Sequence, residues 1–91
     1  MDWEALPGGD LIRRGLADLA AGTESVEALL VSIGAPRLAM LEVRVPEPRI
    51  PDPEHRLYAL LARADPDSAH SRYNALIRRL VSFERALACA G

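Results

Sequence analysis

The residues best equipped for chemistry lie together in "DPDSAHSRYNALIRRL", Asp65 to Leu80, where Asp, Ser, His, Arg, Tyr and Asn share sixteen consecutive positions. An aspartate, a serine and a histidine invite an acyl-transfer reading, in which the carboxylate orients the imidazole and the imidazole takes the hydroxyl proton. That chemistry needs the three groups hydrogen-bonded in series. Ser68 and His70 are two positions apart, and on a helix that spacing turns them about 200° away from each other. Asp67 shares a face with His70 and Ser71, but Asp65 and Asp67 follow the pattern of a helix N-cap and a first-turn acid. No G-x-S-x-G elbow occurs in the chain. No catalytic residue is assigned, and the stretch reads as a capped amphipathic helix.

Metal and cofactor chemistry fare no better. His55, His70 and Cys89 offer no paired spacing such as H-x-x-x-H or C-x-x-C. If the last two helices form an antiparallel hairpin, the two histidines fall at its opposite ends. No metal site and no cofactor are expected. "HRLYALLAR" from His55 and "HSRYNALIR" from His70 both read H-x-x-Y-x-x-L-x-R, but two similar Leu- and Arg-rich amphipathic helices suffice to explain the match. A small-ligand or enzymatic role centred on His70, Arg72 and Tyr73 would need a pocket joining them to His55 or Tyr58.

These residues sit on the strongest helical pattern of the chain. Asp65-Pro66-Asp67 should open a helix running to about Ala88, with Ala69, Tyr73, Leu76, Ile77, Leu80, Phe83 and Leu87 on one apolar face. Arg72 and Arg79 border that face on one side, and Arg78 and Arg85 lie near the other. With His70, these four arginines are the candidate ligand or phosphate contacts. Glu84 falls on the apolar side, where a carboxylate is costly unless an arginine reaches it. That oddity, on a long Leu-rich helix, suggests an interface formed by Tyr73, Leu80, Phe83, Glu84 and Leu87.

The preceding elements follow from caps and breaks. "PGGD" makes a turn after an N-terminal arm (1–9), and Asp10 is placed to cap a helix over 11–21 that Gly22 stops. Thr23 should cap a second helix that Gly34 closes, with Glu24 and Glu27 in its first turn. Pro36 suits the first position of a short third helix. Four prolines in "EVRVPEPRIPDP" forbid a helix there, so 46–53 reads as an extended strap, after a short strand near Val43 to Val45. The P-x-x-P match at Pro48 to Pro51 is what closely spaced prolines give by chance. Asp52-Pro53-Glu54 then opens a helix carrying Leu57, Leu60 and Leu61.

Composition bounds the rest. Ninety-one residues make one domain (1–91), and 49% hydrophobic residues with few aromatics favour a helical core. The fold class is therefore all-α, a small bundle of four to five helices with a proline-rich strap and a C-terminal helical hairpin. All eleven basic residues are arginine, which reads as coding bias, and a net charge of −2 implies no whole-molecule attraction to nucleic acid or anionic lipid. Residues 1–54 carry ten acids and five arginines, whereas residues 55–91 carry three acids and six arginines, a division that can pair within the fold or between subunits. A single cysteine gives no support to an oxidising compartment. "MDWEALPGG" lacks the regions of a signal peptide, and no apolar run is long enough for a bilayer. The expectation is a small cytoplasmic, non-enzymatic interaction or regulatory module, a homodimer or the partner of another protein, with no membrane role. The alternative is a nucleic-acid-associated factor working through the arginines of the last helix.

Overall fold

Val26 to Met40 is apolar on nearly every side, and the fold is built around it. The computed structural model describes residues 3–90, leaving Met1 and Asp2 of the arm, and Gly91, outside the described residues. After a 3₁₀ turn at Trp3–Ala5 come four helices: α1 (Gly9–Ala20), α2 (Val26–Met40), α3 (Pro53–Ala64) and α4 (Ala69–Ala90). Among the described residues there is no strand. The all-α class expected from composition is the class found. α2 packs against each of the other three helices, which is why it buries Ala28, Leu29, Leu30, Val31, Ala35 and Leu38 together.

That central position overrides the stop signals in the sequence. Gly34 and Pro36 were expected to separate two helices, yet α2 continues through both as one element of 15 residues. The proline forfeits one backbone hydrogen bond, but breaking α2 there would strip Ala35 and Leu38 of their burial. Gly34 has a packing role instead: a Cβ there would lie 2.8 Å from Cδ1 of Leu80, so its absence lets α4 cross closely. Gly15 does the same for α1, where a Cβ would meet the Glu27 carbonyl oxygen at 2.3 Å.

Several caps differ from the expected ones, each for a local reason. α1 begins at Gly9 behind Gly8 in a left-handed conformation (φ 74°), so Asp10 is a first-turn acid and not the cap. Thr23 belongs to the end of α1, its N–H reaching the Asp18 carbonyl (2.8 Å) while Gly22 N–H reaches Leu19 (3.1 Å), the pairing of a Schellman end, and α2 starts only at Val26, too far along for Thr23 to cap it. Ser25 caps α2, accepting from Ala28 N–H at 3.0 Å and donating to the Asp18 carboxylate at 2.7 Å. The segment expected as a strand, Val43 to Val45, finds no partner strand. Val43 N–H instead turns back to the Leu38 carbonyl at 2.9 Å, across Glu42 held at φ 66°.

Residues 41–52 hold no helix, and Ile50 N–H reaches the Ser32 hydroxyl at 3.4 Å, tying this stretch to α2. Asp52 occupies the position before α3, but with φ 48° its carboxylate makes no capping bond. Asp65 and Asp67 precede α4 without entering its first turn. The Asp65 carboxylate organises the turn itself, accepting Asp67 N–H (3.2 Å) and the Ser68 hydroxyl (2.9 Å). Ser68 then supplies the first helical carbonyl, to Arg72 N–H at 3.0 Å. At 1.5 Å per residue α4 is about 33 Å long, close to the 38 Å longest dimension of the molecule.

Candidate functional site

The opening stretch divides its reactive groups into two separate pairs. The Ser68 hydroxyl goes to Asp65, and the His70 ring meets the Asn74 side chain at 3.1 Å, one turn further along α4. No Asp–Ser–His series forms. Among the described residues no three His, Cys, Asp or Glu side chains converge where a metal ion could sit. The two tyrosines of the repeated H-x-x-Y pattern do meet: Tyr58 of α3 and Tyr73 of α4 have ring centroids 5.9 Å apart. Burial, and to a lesser degree the Glu54 charge, raises the Tyr73 phenol above its ordinary pKa. The contact holds α3 against α4, and neither tyrosine lines the hollows of about 320 to 430 Å³ found elsewhere on the surface.

Of the residues expected at an interface, Leu80 (4% exposed), Phe83 (0%) and Leu87 (9%) lie in the chain's own core. Phe83 receives the edge of Trp3 at 5.7 Å and 74°, so the N-terminal 3₁₀ turn covers it from outside. Glu84 is half-buried where α4 crosses α2, its Oε2 lying 3.3 Å from where a Gly34 Cβ would stand. Desolvation pushes its carboxyl pKa up, and the nearby positive charge of Arg37 opposes the shift. Tyr73 stays half-buried. Leu80, Phe83 and Leu87 therefore face the chain's own core, and the part of α4 left exposed is a flank.

Among the described residues the acidic front and basic back form ion pairs within the chain at two places, both on its surface. The Arg56 guanidinium clasps both oxygens of the Glu24 carboxylate, with Nε at 3.0 Å, a bidentate geometry that holds the carboxyl below its ordinary pKa. It pins α3 to the α1–α2 connection. Arg79 reaches Asp10 at 3.4 Å, bridging α4 to α1. Arg72, Arg78 and Arg85 are exposed, and among the described residues they form no ion pair.

The Arg79–Asp10 bridge spans a groove. α1 and α4 each pack on α2 but barely touch one another, leaving a hollow of about 400 Å³ lined by Leu11, Val26, Glu27, Arg72, Ala75, Leu76 and Arg79. Leu11, Val26 and Leu76 are each half-buried there, an apolar floor with solvent above it. Residues 72, 75, 76 and 79 recur at the i, i+3, i+4, i+7 spacing of one helix stripe. The sequence marked Arg72 and Arg79 as bordering the apolar face of α4. It gave no sign that Leu11, Val26 and Glu27 stand opposite, because that juxtaposition comes from the packing of α1 and α4 over α2. A second hollow, of about 430 Å³, lies beside Met40, Leu41, Val43 and Leu87, and Met40 there is 74% exposed.

Comparison of the chain with protein-family models, with curated proteins and with solved structures finds no match in any of the three. Among the described residues no helix is long and apolar enough to cross a membrane.

Proposed function

We propose that this chain is a small cytoplasmic, non-enzymatic protein-interaction module that self-associates through its C-terminal helix. The observation that supports it is the groove between α1 and α4, where the flank Arg72, Ala75, Leu76 and Arg79 borders half-exposed Leu11 and Val26. Half-buried leucine and valine side chains gathered in one concave strip mark a surface that another surface can cover. On this reading the stretch 46–53 is a strap that braces α2 against α3, and α3 with α4 is a hairpin presenting the outer flank of α4. Sedimentation velocity over a wide concentration range tests it. A mass that rises toward twice the monomer supports self-association, and a monomer at the highest concentration overturns it.

A nucleic-acid role has its own supporting observation in the exposed Arg72, Arg78 and Arg85, which form no ion pair among the described residues. Such a role requires affinity for mixed DNA or RNA that collapses as salt is raised. The absence of any salt-dependent shift would remove it.

A further inference from the structure

The α1–α4 groove is lined by charges of both signs. Glu27, in the first turn of α2, and Arg72, near the start of α4, border the same apolar floor. Among the described residues neither has an ion-pair partner, and they form no ion pair with each other. Arg79, by contrast, is already bridged to Asp10. Glu27 thus stands beside Val26 on α2 at the base of the groove and Arg72 on its α4 side, around an apolar floor of Leu11, Val26 and Leu76. A partner matched to this surface carries both signs, spaced like the surface itself. A surface that bears its own complement satisfies this condition under a two-fold axis, where every contact occurs twice with the roles exchanged.

We propose that a second copy of this chain docks two-fold symmetrically in the α1–α4 groove, pairing Arg72 of each protomer with the partner subunit's Glu27. The two α4 helices then cross near Ala75, whose small side chain permits close approach, and each Leu76 closes over the floor of the other groove. A stable interface of about 800 Å² per partner is roughly one seventh of the 5480 Å² surface. The groove alone does not supply that area, so the outer sides of α1 and α4 join it. This assignment rests on the self-association reading above and adds to it the face and the charge pair.

The test is a charge exchange on the full chain, read by sedimentation velocity, with thermal melting as the control for folding. Arg72→Glu and Glu27→Arg, each alone, set like charges opposite one another twice per dimer and should weaken association at least about tenfold. The double variant restores opposite charges and should return the affinity to within about threefold of wild type. Glu27→Gln, milder toward the start of α2, should weaken association less than Glu27→Arg. If wild type dimerises and both single variants dimerise equally well, the groove is not the interface, while self-association stands. If the single variants fail and the double variant fails equally, the Arg72–Glu27 pairing is wrong. A wild-type monomer at every concentration overturns both the pairing and the reading beneath it.

Discussion

Gly15→Ala tests how α1 is seated on the central helix. A Cβ at this position would lie 2.3 Å from the Glu27 carbonyl oxygen and 2.4 Å from Cγ2 of Val31, where ordinary contact begins at 3.4 Å. Two effects oppose each other. Alanine in a helix interior is favoured over glycine by about 1 kcal/mol, whereas overpacking a close contact costs about 1–3 kcal/mol. The obstacle here is backbone that α2 cannot move without disturbing Leu29 and Leu30, so the upper part of that range applies. α1 must retreat by roughly 1 Å, enough to forfeit a quarter to a half of the dispersion contact around Ile12 and Leu19. The net loss is about 1–2 kcal/mol, a fall of about 4–16 °C in Tm for a domain of this size. Gly34→Ala is the matched comparison, because there the Cβ meets the two δ carbons of Leu80 at 2.8 and 3.1 Å. Those are side-chain tips that can rotate away, so the net change should stay within about 1 kcal/mol of wild type. Urea unfolding followed by far-ultraviolet circular dichroism measures both. If Gly15→Ala is as stable as wild type, or Gly34→Ala is the more harmful change, the account of helix seating fails.

Three further outcomes follow from local geometry. Ser25→Ala removes the N-cap of α2 and the hydroxyl that links it to Asp18, and should cost about 1–2 kcal/mol in urea unfolding; a loss within error of zero would show that the cap is replaceable. Glu42→Gly relieves a left-handed residue at the end of α2 (φ 66°) and should raise stability by about 0.5–1 kcal/mol, with an unchanged or lower midpoint counting against it. Burial raises the folded-state pKa of Glu84, so the native protein holds that proton more tightly than the unfolded chain, and stability falls as pH rises through the interval between the two values. Glu84→Gln should therefore stabilise at neutral pH by roughly a few tenths of a kcal/mol, given how much solvent screens the group. The gain should vanish below about pH 4, where the unfolded carboxyl is protonated. A difference that stays constant with pH would assign the effect to packing and not to charge.

The sequence carried the helical class, the approximate span of α1, α3 and α4, and the apolar face of α4. These are properties of periodicity, and periodicity survives without knowledge of neighbours: Leu80, Phe83 and Leu87 are buried because a helix of that pattern has one side to bury. It also argued against an Asp–Ser–His relay by placing Ser68 and His70 on different sides of a helix; Ser68 in fact lies in the turn before α4, where its hydroxyl is engaged by Asp65 while His70 meets Asn74. Caps were less legible. Thr23 and Ser25 are both competent capping residues, and the choice falls to Ser25 because the turn that ends α1 runs through Thr23 and α2 starts only at Val26.

Two matters were decided by tertiary structure alone. Local preference ends a helix at Gly34 and Pro36, but burial of Ala35 and Leu38 among three other helices outweighs the proline's missing hydrogen bond, so α2 runs on. The outward face of α4 was equally undetermined. A helical wheel separates apolar from polar positions, yet it does not tell a core within one chain from a seam between two. Trp3 and Gly34 assign Phe83 and Leu80 to the core, leaving the stripe from Arg72 to Arg79 beside Leu11, Val26 and Glu27. Glu27 and Arg72 are 45 positions apart in the chain, and only the packing of α4 beside α1 on α2 brings them to one groove.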